Sequence, residues 1–198
     1  MKRAPFRPGL VVLAALLASL VTERAQASIV DAMSLAELVR EADVIIVARV
    51  DGQRARWDHQ GRIVTDVTLR VTESLHGGLA RGAVVVARRL GGELGDLGLR
   101  VEGEARYVDG ESVLLFARRL TTPAGVVLRP VGMSQGVLPI DDTGGVEVVM
   151  PGGAGLELVT RSPDGRLGPG SPALAGPEPA DALLDRVRAL VAELHGSR

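Results

Sequence analysis

The run GGELGDLGLRVEGEARYVDGESVLLFARR, residues 91–119, carries the densest structural information in the chain. Glycines at 91, 92, 95 and 98 space a loop, and Leu97, Leu99 and Val101 then alternate as a short apolar piece. A turn at Gly103 and Glu104, an aromatic step at Tyr107 and a second turn at Asp109, Gly110 and Glu111 follow. They lead into residues 112–117, the most hydrophobic strand candidate beyond the N-terminal segment. Loop, turn, turn and buried strand are the signals of a small β-barrel or sandwich.

The flanking sequence repeats those signals. Residues 43–50 are β-branched and almost continuously apolar, as a strand covered on both faces should be. Residues 51–61 read as a polar loop that carries Trp57 and His59 and closes at Gly61. Ile63, Thr65, Val67, Leu69 and Val71 alternate with polar residues, one face inward and one wet. Residues 83–90 form a further strand candidate, and residues 126–131, 135–140 and 146–150 are shorter ones separated by turns. Spacing of this kind favours an all-β barrel or sandwich over a parallel sheet. Ser34 and Glu37 form a capping box, so a short helix precedes the first strand.

The ends of the chain differ from this middle. Lys2, Arg3 and Arg7 precede an apolar run at residues 9–21, which falls short of the roughly 20 residues needed to span a bilayer. Ala25-Gln26-Ala27 then offers a small-residue cleavage site, so residues 1–27 read as a signal peptide and Ser28 as the mature start. The alternative is an uncleaved membrane anchor. The protein is expected to be exported, to the periplasm or beyond, with no membrane span after processing. Residues 28–160 read as the β domain. Five prolines between 161 and 179, interleaved with glycine and serine, read as a linker without a core. Residues 180–195 then form a helix with Leu184, Val187, Leu190, Val191 and Leu194 on one stripe, expected to pack back on its own domain.

Composition narrows the chemistry. Beyond residue 27 the chain holds 19 basic and 23 acidic side chains, a net charge of −4, which gives no drive toward nucleic acid. With few aromatics and no basic groove, base stacking is not expected either. Cysteine is absent, which removes disulfides, a thiol nucleophile and thiolate metal ligands. His59, His76 and His195 are isolated in sequence, so no metal site and no cofactor are expected.

Two glycine motifs invite chemistry. Gly132-Met133-Ser134-Gln135-Gly136 matches the G-x-S-x-G nucleophile elbow, but residues 137–140 that follow cannot start the helix the elbow needs. A small serine hydrolase using Ser134 is therefore the enzymatic alternative, against a glycine-flanked strand pairing. Gly92, Gly95 and Gly98 lack the Rossmann spacing and read better as a loop whose backbone lies close to another strand. Trp57, flanked by Arg54 and Arg56, is either a protein-contact residue or a lid on one end of the barrel.

Residues 41–50, following a short amphipathic segment, resemble the opening strand of netrin-like OB domains, which include the tissue inhibitors of metalloproteinases. The pattern of Gly91, Gly92, Gly98, Val101, Gly103, Tyr107, Gly110, Glu111, Leu114, Leu115 and Phe116 resembles exported bacterial proteins of the same barrel type. The resemblance covers residues 34–118. It implies a small OB-like antiparallel barrel that presents its N-terminus and loops to a partner. The inhibitors chelate protease zinc through an N-terminal cysteine, and this chain has Ser28 and no cysteine, so that mechanism does not transfer. The expected function is a monomeric, non-enzymatic binding module, with a secreted protease as the partner class the resemblance implies. The expected contact set is Ser28, Trp57, His59, Gly92, Gly95 and Gly98. A structural envelope protein, docking a neighbour through the C-terminal helix, is the third alternative.

Overall fold

One 14-residue strand, β2 (Val44–Trp57), runs through the centre of the molecule. In the computed structural model, residues 28–196 are described, so the expected leader at residues 1–27 lies outside them. β1 (Ser28–Asp31) and helix α1 (Leu35–Glu41) precede β2. β3 (Ile63–His76), β4 (Val84–Leu90), β5 (Gly92–Leu94) and β6 (Leu97–Leu99) follow. Then come β7 (Ser112–Thr122), β8 (Gly125–Pro130), a 3-10 turn (Met133–Gly136), β9 (Val137–Thr143) and β10 (Val146–Val149). β11 (Leu156–Arg161), β12 (Leu167–Pro169), β13 (Glu178–Pro179) and helix α2 (Ala180–His195) complete the described residues. Among the described residues the fold is mostly β with two helices.

The main sheet runs β13-β10-β9-β7-β2-β3-β4-β8, and β8 also pairs with β7. Strands β2, β3, β4, β8 and β7 therefore pair in a closed circuit. All its pairings are antiparallel except β4 with β8, which is parallel and rests on a single register pair, Ala87 with Leu128. One apolar cluster draws on all five strands, including Ile46, Val67, Ala87, Leu115 and Leu128. The other face of β2 and β7 gives Ile45, Leu114 and Phe116 to a second cluster under both helices. β2 is thus buried on both faces, which is why residues 43–50 are nearly all apolar.

The capping box forms as the sequence indicates. The Ser34 Oγ accepts from the Glu37 amide, and the Glu37 carboxylate accepts from the Ser34 amide at 2.7 Å. Helix α2 does pack on its own domain, burying Ala180, Leu183 and Val187, while Leu184, Leu190, Val191 and Leu194 are partly buried. The stripe read in the sequence is thus the one that packs, widened by Ala180 and Leu183. His195 stacks on His76 with ring centroids 4.1 Å apart, and Arg188 bonds Glu73 at 2.6 Å.

Three readings change. The polar stretch at residues 51–57 is strand, not loop, because β2 and β3 pair as far as Trp57 and Ile63. Its charged residues are bonded across the hairpin, with Arg56 to Asp66 at 2.7 Å and Arg70 to Asp51 at 2.6 Å. Residues 135 and 136 lie in the 3-10 turn, and the strand begins at Val137. Residues 161–179 are not a coreless linker. β12 pairs with β11, β13 pairs with β10, and Leu174 is buried in the helix-side core. Proline and glycine composition hides one anchoring leucine and two short backbone pairings. Among the described residues, no helix is long and apolar enough to cross a membrane.

Candidate functional site

The G-x-S-x-G segment is a structural junction. Gly132 takes φ 60° and Met133 φ 61°, which turns the chain from β8 into the 3-10 turn. Ser134 is 5% exposed, and its Oγ donates to the Ala154 carbonyl at 3.3 Å. Its amide donates to Gly103 O at 3.0 Å, and its carbonyl accepts from Gly153 N at 3.0 Å. Gln135 is 2% exposed. Its Oε1 accepts from Met33 N at 2.9 Å and its Nε2 donates to Asp31 O at 3.2 Å. The nearest event at His195 is elsewhere: its Nε2 lies 3.0 Å from Val39 O. The motif therefore stitches β1, the 100–108 loop and the 152–154 segment together.

The residues expected to contact a partner are dispersed. Ser28 pairs through its backbone with Leu156, in a parallel β1–β11 ladder. Trp57 is 49% exposed at the end of β2, and His59 is exposed in the turn that follows. Gly92, Gly95 and Gly98 form the β5–β6 hairpin rather than an open loop. Gly95, at φ 60°, begins its two-residue turn. At Gly92 a Cβ would overlap the Thr65 hydroxyl and lie 3.2 Å from the Ala55 Cβ, so the hairpin backbone presses on β2 and β3. Ala55 and Trp57 share a face of β2. Gly92 and Trp57 thus belong to one side of the molecule, while His59 lines a separate small groove with Arg62 and Arg88.

A polar cluster that sequence reasoning did not select lies where the circuit is weakest. Beyond Ala87 and Leu128, β4 and β8 make no further paired position. Glu104 sits at that opening and lines three grooves of the surface. Burial raises its carboxyl above the usual range, against the Leu90 backbone amide and the charges of Arg129 and Arg89. Tyr107 is 7% exposed and joins Ala105 in the five-strand cluster. Burial and the Glu104 charge push its phenol above its ordinary value. Its hydroxyl and the Nε of Arg89 are buried without a hydrogen-bond partner.

Arg89 and Arg129 form no ion pair among the described residues, whereas neighbouring Arg88 bonds Asp66 through Nε at 2.6 Å and Arg62 bonds Asp58 at 2.7 Å. The signal in sequence was faint: a glutamate and a tyrosine inside a glycine-rich loop. Among the described residues, no three His, Asp or Glu side chains are grouped to hold a metal ion. No protein-family model matches the chain, and neither does any curated protein or solved structure.

Proposed function

We propose that this chain is an exported, non-enzymatic binding module for a protein partner, built on an OB-like barrel. The closed circuit of β2, β3, β4, β8 and β7 supports the barrel reading, since an OB-fold is a five-stranded, partly open Greek-key barrel. The single parallel pair between β4 and β8 is the partly open side. A secreted protease is the partner class that the netrin-like resemblance implies.

The observation that carries the reading is Trp57. It is the only tryptophan, it stands half exposed at a strand end, and Arg54, Arg56 and His59 lie close to it in sequence. Tryptophan and arginine dominate the energetics of protein contacts. The test is a pull-down from culture supernatant with the processed chain. The wild type should enrich a partner that the Trp57→Ala, His59→Ala double variant does not. Equal capture, or none, overturns the contact assignment. A fluorophosphonate probe should leave the chain unlabelled; labelling that disappears in Ser134→Ala would make it a hydrolase instead.

A further inference from the structure

We propose that the groove beside residues 104–108 binds an extended peptide segment, and that Arg89 and Tyr107 receive a carboxylate of that segment. This rests on the reading of the chain as a protein-binding module and names the chemistry it would recognise.

The first observation is a strand with no neighbour. Ala105 and Tyr107 face the core, while Arg106 and Val108 face solvent, the alternation of a β-strand. Residues 105–108 nevertheless belong to no sheet. Their backbone N–H groups find no partner among the described residues, and Tyr107 O accepts only the Gln53 side chain, at 2.9 Å. An unpaired edge of this kind is what an extended peptide adds to. The edge borders a groove of about 1010 Å³, whose other wall includes Gly92, Gly98 and Leu99.

The second observation is independent. Tyr107 is more than nine-tenths buried, and its hydroxyl has no partner. The Arg89 Nε–H is buried and unpartnered in the same groove. A guanidinium can only donate and a neutral phenol can donate as well as accept, so an acceptor is the one group that satisfies both. Guanidinium favours a carboxylate, which accepts in its plane. Arg100 is already paired with Glu102 at 2.6 Å, and Glu93 and Glu104 balance Arg89 and Arg106 in the lining. With the lining charges balanced, a dianion such as phosphate would add two uncompensated charges there, whereas a single carboxylate adds one and satisfies both unpartnered donors.

The carboxylate can be a chain terminus or an acidic side chain, and three probes separate them. N-acetyl-tetraalanine acid, its C-terminal amide, and the amide with one aspartate replacing an alanine are titrated into isotope-labelled processed chain. Arginine Nε–H signals and the amides of residues 105–108 are followed by NMR. The acid should shift both sets saturably and bind about tenfold more tightly than the plain amide. An aspartate peptide that binds more tightly than the acid assigns a side-chain carboxylate, one that equals the acid shows that either source serves, and one that matches the plain amide assigns a chain terminus. Tyr107→Phe and Arg89→Gln should each weaken the acid by about tenfold while leaving the circular dichroism unchanged.

No saturable shift with any probe, equal affinity for all three probes, or wild-type binding by Tyr107→Phe overturns the proposal. Should Tyr107→Phe capture the supernatant partner as well as wild type, the groove assignment fails and the module reading through Trp57 stands. Loss of capture in Tyr107→Phe, together with weakened acid binding, supports both.

Discussion

Asp58 closes the β2–β3 turn almost alone. Its Oδ1 accepts from the Gln60 and Arg62 amides at 2.9 Å each, and its Oδ2 accepts from the Arg62 guanidinium. The Arg62 amide leads in holding this carboxyl down at about 2, helped by the Arg62 side chain and the Gln60 amide, against the cost of burial. A carboxyl depressed in the folded state stabilises above the unfolded value of about 3.9, and that stability disappears as pH falls through about 2. Urea midpoints of wild type should therefore drop between pH 4 and pH 2, and Asp58→Asn should show a shallower drop from a lower start. Parallel curves would remove Asp58 from the account. The G-x-S-x-G segment makes a different contrast. Ser134 has one long hydrogen bond from its hydroxyl, so Ser134→Ala should cost about 1 kcal/mol or less. At Gly136 a Cβ would overlap the Val131 carbonyl and lie 2.8 Å from that of Phe116, so Gly136→Ala should cost about 3 kcal/mol or more. Chemical denaturation of the two variants reads the difference, and the reverse order would contradict a structural junction.

Helix α2 is fixed at both ends by polar contacts and in the middle by leucine and valine. Arg186 bonds Glu178 at 2.5 Å at its start, Leu183 and Val187 are fully buried, and His195 stacks on His76 at its end. Burial lowers the His76 pKa, and His195 and Arg119 lower it further, with Asp43 opposing them. A base whose folded value is depressed contributes stability above the ordinary imidazole value of about 6.5, and that stability is lost as pH falls through the folded value. Stability should decline between pH 7 and pH 5, and His76→Gln should flatten that decline. A wild-type profile level over this range would show that the stacked pair is not coupled to helix docking. The helix itself was legible in the sequence, because Leu184, Val187, Leu190, Val191 and Leu194 recur at helical spacing. Its full width was not, since Ala180 and Leu183 also face the core and only the partner surface shows how far the apolar face extends. β2 was legible over its apolar half. Its outer half was not, because Arg54 and Arg56 look like a loop until the hairpin sets Arg56 against Asp66. Arg89, Glu104 and Tyr107 were illegible as a group, since their meeting depends on the β4–β8 opening, which no local pattern encodes.

The two apolar clusters lie on opposite faces of the same strands, and this sets how the whole molecule holds together. β2 and β7 contribute Val44, Ile46 and Leu115 to one cluster and Ile45, Leu114 and Phe116 to the other. Losing either cluster exposes a face of these central strands, so both should unfold with the molecule rather than before it. The periphery is attached differently. β5 and β6 pair only with each other, and Leu97 and Leu99 are exposed on that hairpin. β1, β11 and β12 form a separate three-stranded sheet, tied back through Gln135 to Asp31 and Met33. Hydrogen exchange should follow this hierarchy. Amides of residues 44–50 and 113–117 should exchange only through global unfolding, with a denaturant dependence equal to the full unfolding slope. Amides of residues 92–99 should exchange through local opening that denaturant hardly affects, and those of residues 28–31 and 156–161 should fall between. Early exchange at residues 113–117 would mean that the helix-side cluster opens alone and that α2 is a detachable layer. Late exchange in both places would mean that the face carrying the unpaired 105–108 edge is rigid before any peptide arrives, a preformed template and not a loop that must be ordered by its ligand.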